Sequence, residues 1–202
     1  IVGVKKAQSV FGIKSIVEKE QPGYADGEWF DETATVCAVK TVLSEAMRAA
    51  NSRSKRLFIG VPGEFVTVVS KSVSVKLDRR RRIADDDIDY LLNKGYDFAT
   101  PEFVLINTSA VYYSLDGEEK LYSDVRGMYA ENVEARVSYI LAERGFIKTF
   151  DRASEDLGFK DVRYVASNWA ECVTLLDSEQ RESAFVLIDV GYLSSSVSVA
   201  KG

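Results

Sequence analysis

The chain of 202 residues is long enough for one large domain or two small ones, and 46% of its residues are hydrophobic, which is ample for a core. The net charge of −5 gives no reason to expect nucleic acid as the main partner, and no apolar run approaches the roughly 18 residues of a membrane-spanning helix. Histidine is absent, which excludes Ser–His and Cys–His catalytic pairs. No residues have the spacing of a metal-ligand motif, and we expect any chemistry to be phosphate chemistry based on positioning and a metal.

The first third of the chain predicts a strand, a loop, a long helix and another strand. Residues 1–7 are suited to a short strand, and a polar loop follows. Asp31 is placed to cap a helix, because apolar residues recur at helical spacing from Ala34 to Ala50. The run Arg56–Val61 predicts a strand that leads into a Pro-Gly turn.

The middle of the chain combines an alternating pattern with a charged block. Residues 65–77 alternate apolar and polar in their second half, which predicts one half-buried strand or two strands with a break. The block Asp78–Arg82 then has two interpretations, a solvated loop or a docking patch for an acidic partner. Three aspartates open a predicted helix that runs through Leu92, since acidic residues favour a helix N-terminus.

The second half of the chain continues to alternate strands and helices. Asp116-Gly117 is a turn signal between two predicted strands, and Gly158 is suited to closing a helix. The predicted elements are strands over 102–115, 133–141 and 162–165 and helices over 146–157 and 168–176. Interleaved elements with several antiparallel strands indicate an α+β, or mixed α/β, fold.

Two residue types allow alternative interpretations. Cys37 and Cys172 lie far apart in apolar helical patterns, so we expect buried free thiols of a reducing cytoplasm rather than a disulfide. Four tyrosines are either anchors of a binding surface or residues packed in the core or on a strand face. They are Tyr112, Tyr113, Tyr122 and Tyr129.

The chain closes on FVLIDVGYLSSSVSVAKG, residues 185–202. This segment predicts a buried strand, a glycine turn and the start of a second strand. An acidic residue at the end of an apolar strand, followed by Gly and hydroxyl residues, is also found where some ATP-binding folds hold a phosphate. The segment is therefore either a nucleotide loop or an ordinary hairpin in which Asp189 caps a turn.

Four segments of the chain contain motifs that can be compared with a known family. They are GEWFD (27–31) before the first long helix, LFIGVPG (57–63), VRGM (125–128) followed by VEARV (133–137), and VLIDVG (186–191). In this order they resemble the FtsA family of bacterial cell-division proteins, which belongs to the actin-like ATPase superfamily. Pilus-assembly relatives of the PilM type are similar in the same segments. The chain has no starting Met, and we expect a piece of a longer protein of this kind.

The resemblance implies a layout of two subdomains. Residues 1–63 and 162–202 would form part of a ribonuclease-H-like actin-type subdomain. Residues 65–160 would form an inserted ferredoxin-like strand-helix-strand-strand subdomain, which mediates filament and partner contacts in the family. The family's first phosphate loop, of the Asp-x-Gly-Thr type, would lie on the hairpin before the first helix, but the segment 3–15 lacks that motif. The second actin lobe and an amphipathic membrane helix would follow Gly202.

The resemblance also places the closing segment on the family's second phosphate loop. Asp189 and Gly191 match it, and Ser194 and Ser195 keep the hydroxyl of two threonines. Tyr192 and Leu193 occupy the positions of two glycines, where bulk would press on a phosphate. The implied alternatives are an altered ATP site, in which Asp189 acts through a metal-bound water, and a degenerate one. We expect ATP and Mg²⁺ at most in the full-length protein and none in this chain.

The leading functional hypothesis is a fragment of an FtsA-like cell-division scaffold that polymerises and recruits proteins. We expect a cytoplasmic protein, with the inner face of the cell membrane as an alternative location, and we expect no ATP hydrolysis by this fragment. The alternatives are a PilM-like pilus scaffold, an active nucleotide-dependent phosphotransferase of the same superfamily, and a binding module without nucleotide. The predicted partner surface consists of Arg79, Arg80, Arg81, Arg82, Met128 and Tyr129.

Overall fold

The computed structural model describes residues 2–5, 11–20, 23–25, 28–98, 100–191 and 195–200. The strands are β1 (Val2–Lys5), β2 (Phe11–Ser15), β3 (Tyr24–Ala25), β4 (Glu28–Trp29), β5 (Arg56–Val61), β6 (Val66–Arg82), β7 (Phe103–Leu115), β8 (Tyr129–Glu143), β9 (Asp161–Ala166), β10 (Phe185–Val190) and β11 (Ser195–Ala200). The helices are α1 (Glu32–Ala49), α2 (Asp85–Lys94), α3 (Arg144–Asp156), α4 (Ser167–Leu175) and α5 (Ser178–Glu182), and a short 3-10 helix covers Gly63–Phe65.

The predicted mixed α/β fold class is confirmed. Helix α1 begins as expected, because the side chain of Asp31 accepts a 2.8 Å hydrogen bond from the N–H of Ala34. Strand β5 has the predicted ends, and the turn after β7 lies at Asp116 and Gly117, both with positive φ. The sequence analysis missed β2, the short pair β3–β4 and helix α5.

The middle of the chain corrects one prediction. Residues 66–82 form a single strand without a break, so the block Asp78–Arg82 ends a strand and is not a loop. The physical reason is the partner strand β8, which pairs with β6 from Val66 to Lys76 and again at Arg81 and Arg82, so the block is held between paired residues. Pairing with β8 supplies backbone hydrogen bonds to this strand, and these cannot be predicted from the charged residues of the block alone.

The described residues form two compact units, and the first contains residues 1–59 and 145–164. Its helices α1 and α3 each bury one face, through Val36 and Ala46 in α1 and Phe146 and Ala153 in α3. Buried hydroxyls in these helices bond to carbonyls of the preceding turn, as Thr149 does to Gly145 at 3.0 Å. Burial of these polar groups therefore leaves no hydroxyl unsatisfied.

The second unit contains residues 60–144 and 165–202, and its centre is an antiparallel sheet in the order β6-β8-β7. Helix α2 packs against β6 and β7, and one face of the sheet forms the core with it. The core side chains include Val73, Val75, Leu77, Ile88, Leu91, Tyr113, Leu115, Val133, Ala135, Val137 and Tyr139. The chain order of this sheet is strand, helix, strand, strand.

The two units divide the chain differently from the predicted subdomains. Helix α3 belongs to the first unit, whereas the sequence analysis assigned the whole of 65–160 to an insert. A division by compactness does not test which segment is inserted in which, because an insert and its parent subdomain can share a boundary strand. The subdomain boundaries therefore stay a prediction.

Strands β10 and β11 form the predicted antiparallel hairpin, with Val190 opposite Ser195. The expectation of a buried strand is wrong, because one face of this hairpin is exposed. That face carries Val186, Ile188, Val190, Val197 and Val199, each 60–77% exposed. Helix α4 contacts β10, and within the described residues no element covers the aliphatic face.

Both cysteines are free, but only Cys172 is buried as expected. Burial in α4 raises the pKa of its thiol. The prediction for Cys37 is wrong, because it lies on an exposed side of α1. Among the described residues, no helix combines the length and the apolar character required to cross a membrane.

Gly95, which ends α2, allows that helix to lie directly on the sheet. A Cβ atom added to Gly95 would overlap the hydroxyl of Tyr139 and a methyl group of Val73, two side chains of the buried core. The Tyr139 hydroxyl is held in place, since it donates a 2.7 Å hydrogen bond to the carbonyl of Leu92. Neither neighbour can move without disturbing the core.

We therefore predict that Gly95→Ala lowers the free energy of unfolding by about 1–3 kcal/mol, as overpacking does elsewhere. Urea denaturation of the chain measures this, with Asp89→Ala as the control on the exposed side of the same helix. Equal stability of the two variants would show that α2 does not approach the sheet as closely as described.

Candidate functional site

Two of the four predicted phosphate-loop residues line a cleft of the second unit. Asp189 and Ser195 both line this cleft, whose volume is about 500 Å³. Gly191 directly follows β10, whereas Tyr192, Leu193 and Ser194 lie outside the described residues. The structure thus brings together two of the four predicted nucleotide residues and does not test their role.

Close packing of three segments forms one side of the cleft. The side-chain amide of Asn168, in the first turn of α4, donates hydrogen bonds to the hydroxyls of Ser196 at 3.1 Å and Ser198 at 2.8 Å. A Cβ atom at Gly63 would lie 2.9 Å from the Asn168 amide nitrogen and 3.0 Å from Cβ of Ser196. A side chain at this position would crowd Asn168 and Ser196, so glycine in the Pro62-Gly63 turn predicted from the sequence leaves room for their close packing.

The cleft is acidic. Glu64, Glu171 and Asp189 all line it, and the other described lining residues are uncharged. Lys and Arg, which hold phosphate oxygens in most phosphate sites, do not occur among the described residues that line it. A free phosphate group would therefore meet three carboxylates and would need a bound cation to approach them.

Sequence reasoning missed Asn168, Glu64 and Glu171 as residues of this cleft. Glu64 lies beside the Pro-Gly turn that was singled out, but nothing in the local pattern connects that turn with α4. The connection is tertiary, because residues 63, 168 and 196 meet only once the hairpin packs on the helix. In the sequence, Asn168 is notable only as an Asn at the start of a predicted helix, and Asn is common at the start of helices that contribute to no site.

The predicted partner surface lies at the far end of the β6–β8 pair, and its residues have different environments. Arg81 makes two hydrogen bonds to the carboxylate of Asp87, at 2.6 and 2.7 Å, and one to Asp78 at 3.2 Å. The carboxylate of Asp87 also accepts a 2.9 Å hydrogen bond from the N–H of Ala84, and this bond caps α2. Arg81 therefore fixes the start of α2 to the end of β6.

The other arginines of the block lie on the surface. Arg79, Arg80 and Arg82 are exposed, and the guanidinium of Arg82 lies 5.5 Å from the centre of the Tyr129 ring. Met128 is half-buried against the core, and its carbonyl accepts the N–H of Ile83 at 2.9 Å. Of the six predicted surface residues, Arg81 and Met128 thus have structural contacts within the unit.

The tyrosines also differ. Tyr113 belongs to the core, so it is not available as an anchor. Tyr122 exchanges two backbone hydrogen bonds with Tyr113, at 2.8 and 2.9 Å, and covers the edge of β7 there. Tyr112 is half-buried, and Tyr129 is 57% exposed. Tyr129 is the member of this set with the side chain most available for a partner.

No family model matches the chain. It is 24% identical over 196 residues to the cell division protein FtsA of Streptococcus pneumoniae serotype 2 (strain D39 / NCTC 7466), an alignment that covers 96% of this chain and 42% of that protein. A chain of the PilM-PilN type IV pilus biogenesis complex has a similar fold, with a TM-score of 0.57 and 16% identity over 95% of this chain and 52% of that one.

The predicted resemblance to FtsA and PilM is confirmed, and the fold is actin-like. The chain spans less than half the length of the curated relative. Asp189, which the resemblance placed on the second phosphate loop, lines the acidic cleft, and its role there stays a prediction.

The Arg81–Asp87 pair predicts an acid-sensitive contribution to stability. The hydrogen bonds from Arg81 hold the pKa of Asp87 below its ordinary value, because they favour the charged carboxylate. A lowered folded-state pKa gives a contribution that is present above the unfolded pKa and is lost as the pH decreases through the folded pKa. The second unit should therefore lose stability in acid as Asp87 becomes protonated.

We predict that Asp87→Asn lowers the free energy of unfolding at neutral pH by about 1 kcal/mol and reduces its acid dependence, since the half-buried guanidinium of Arg81 loses its charge partner. Urea denaturation from about pH 7 down to about pH 3 measures both effects. The exposed neighbour Asp86 provides the control, Asp86→Asn. An acid profile of Asp87→Asn identical to that of the unmodified protein would contradict the assignment.

Proposed function

We propose that the chain is part of an FtsA-like, actin-fold scaffold protein of the bacterial cell-division machinery. The observation that carries this proposal is the similarity to a cell division protein over 96% of the chain. In this proposal the full-length protein lies at the inner face of the cell membrane, associates with itself and recruits other proteins.

The strand-helix-strand-strand order of the β6–α2–β7–β8 region supports the proposed ferredoxin-like insert. A long three-stranded sheet with a helix on one face has a core of its own, as an independent interaction module requires. We propose that residues 65–160 are this insert and that residues 1–63 and 162–202 form part of a ribonuclease-H-like subdomain. Partner contacts would then come mainly from the insert.

A second candidate is a scaffold of the pilus-assembly machinery. The similar fold in a PilM-PilN type IV pilus biogenesis complex favours it, since the likeness covers 95% of this chain. Both candidates are proteins of assembly rather than enzymes. An active phosphotransferase has less support, because the acidic cleft lacks a basic residue among its described lining residues.

Imaging a fluorescent fusion of the full-length gene product in its own host separates the two candidates. We expect a band at the division site, because a cell-division scaffold must assemble there. Discrete envelope foci away from that site would favour the pilus scaffold. A uniform distribution through the cell would contradict both.

For the nucleotide site, we propose that phosphate binding is degenerate. Glu64 and Glu171 would repel phosphate oxygens, and Tyr192 and Leu193 replace the glycines that the resemblance leads us to expect. The chain itself would bind no cofactor and would not hydrolyse ATP.

Calorimetry of the full-length protein with Mg-ATP tests this. We expect no heat beyond dilution for the unmodified protein. The variant Tyr192→Gly/Leu193→Gly should gain saturable binding, because it restores backbone N–H groups that a phosphate can reach. Saturable binding by the unmodified protein would show a functional variant site and would refute the degenerate one.

A further inference from the structure

We propose that Arg79 and Arg80, together with the Arg82–Tyr129 pair, form a docking surface for an acidic peptide segment of a protein partner. This inference does not depend on which assembly machinery contains the protein. It rests on the different environments that the structure gives to four consecutive arginines, residues 79–82.

A bulge in β6 separates these arginines. Lys76 of β6 pairs with Asn132 of β8, and the next pair is Arg81 with Ala130. More residues separate the two paired positions in β6 than in β8, so β6 carries extra residues that have no partner in the ladder. We call residues 78–80 the arginine bulge. Its three residues are all exposed, whereas Leu77 before it is buried in the core. Bulges commonly redirect side chains at functional positions.

The arginines of the bulge have no carboxylate partner among the described ion pairs. Arg81 is occupied by Asp87 and Asp78, as described above. Asp116 accepts the N–H groups of Glu131 at 2.9 Å and Asn132 at 2.7 Å, and the charge of Arg80 helps to hold its pKa below the ordinary value. No hydrogen bond from the guanidinium of Arg79 or Arg80 is found within the described residues, so their donors face an external carboxylate.

Tyr129 extends the surface with an aromatic ring. It is 57% exposed and lies opposite Arg82 in the ladder, with the guanidinium near its ring. The N–H of Ile83 bonds to the carbonyl of Met128, which holds the end of β6 against the start of β8. Arginine and tyrosine presented on a fixed strand end are typical of binding hot spots.

The neighbouring charges favour a peptide over a membrane surface. Asp78, Asp85 and Asp124 are 56–82% exposed and belong to ion pairs at the same end of the sheet. A flat anionic membrane would also meet these exposed carboxylates and would be repelled by them. A narrow extended peptide can place single carboxylates on Arg79 and Arg80 and avoid the aspartates.

Fluorescence anisotropy with a short labelled peptide of alternating Glu and Ser tests the proposal. We expect saturable binding at low salt that weakens as salt is added, because the contacts are exposed ion pairs. Arg79→Ala/Arg80→Ala should weaken binding by about tenfold. Its thermal stability should be unchanged, since both side chains are exposed and lack partners in the described ion pairs.

A matched control removes the same charge elsewhere. Arg53 and Arg152 are also exposed, and Arg53→Ala/Arg152→Ala should bind the peptide like the unmodified protein. The proposal is wrong if the unmodified protein does not bind, or if the two double variants bind equally. It is also wrong if vesicles of phosphatidylglycerol, and not the peptide, bind in a way that requires Arg79 and Arg80.

Discussion

The double pairing of β8 determines the arrangement of the second unit. β8 pairs with β6 on one side and β7 on the other, and its alternate residues Val133, Ala135, Val137 and Tyr139 enter the core. Tyr139 also reaches the last turn of α2, where its hydroxyl bonds to the carbonyl of Leu92. A shift of β8 by one residue would turn these side chains to the opposite face and release α2. The register of this strand therefore sets both the core and the position of the helix.

The same register decides where β6 can leave the ladder. The pairing is continuous from Val66 to Lys76, and it resumes at Arg81 opposite Ala130. Leu77 is still directed into the core, so the bulge begins only after the last core residue of the strand. Arg81 then returns to the ladder and binds Asp87. The core contact of Leu77 fixes the start of the bulge, and the Arg81–Asp87 ion pair fixes its end. Residues 78–80 therefore lie at a defined position on the surface.

Much of the fold is predictable from local sequence, because many element ends have local causes. Asp31 begins α1 through its side chain, and Asp116-Gly117 permits the turn after β7. The failures have tertiary causes. The end of β6 depends on β8, and the exposed face of β10 depends on which elements pack on the hairpin. Its continuous apolar sequence is typical of a strand covered on both faces, and the described residues cover only one.

The candidate sites were predictable to different extents for the same reason. Asp189 and Ser195 follow from a contiguous pattern, but the carboxylates of Glu64 and Glu171 reach the cleft only through packing. The four arginines of residues 79–82 cannot be distinguished in the sequence, but in the structure Arg81 differs from the others because it binds Asp87. Arg81 is committed to the cap of α2, so its loss would reduce binding by disturbing the fold. Arg79 and Arg80 make no such contact with α2, so substitutions at these two positions would separate the proposed recognition from stability.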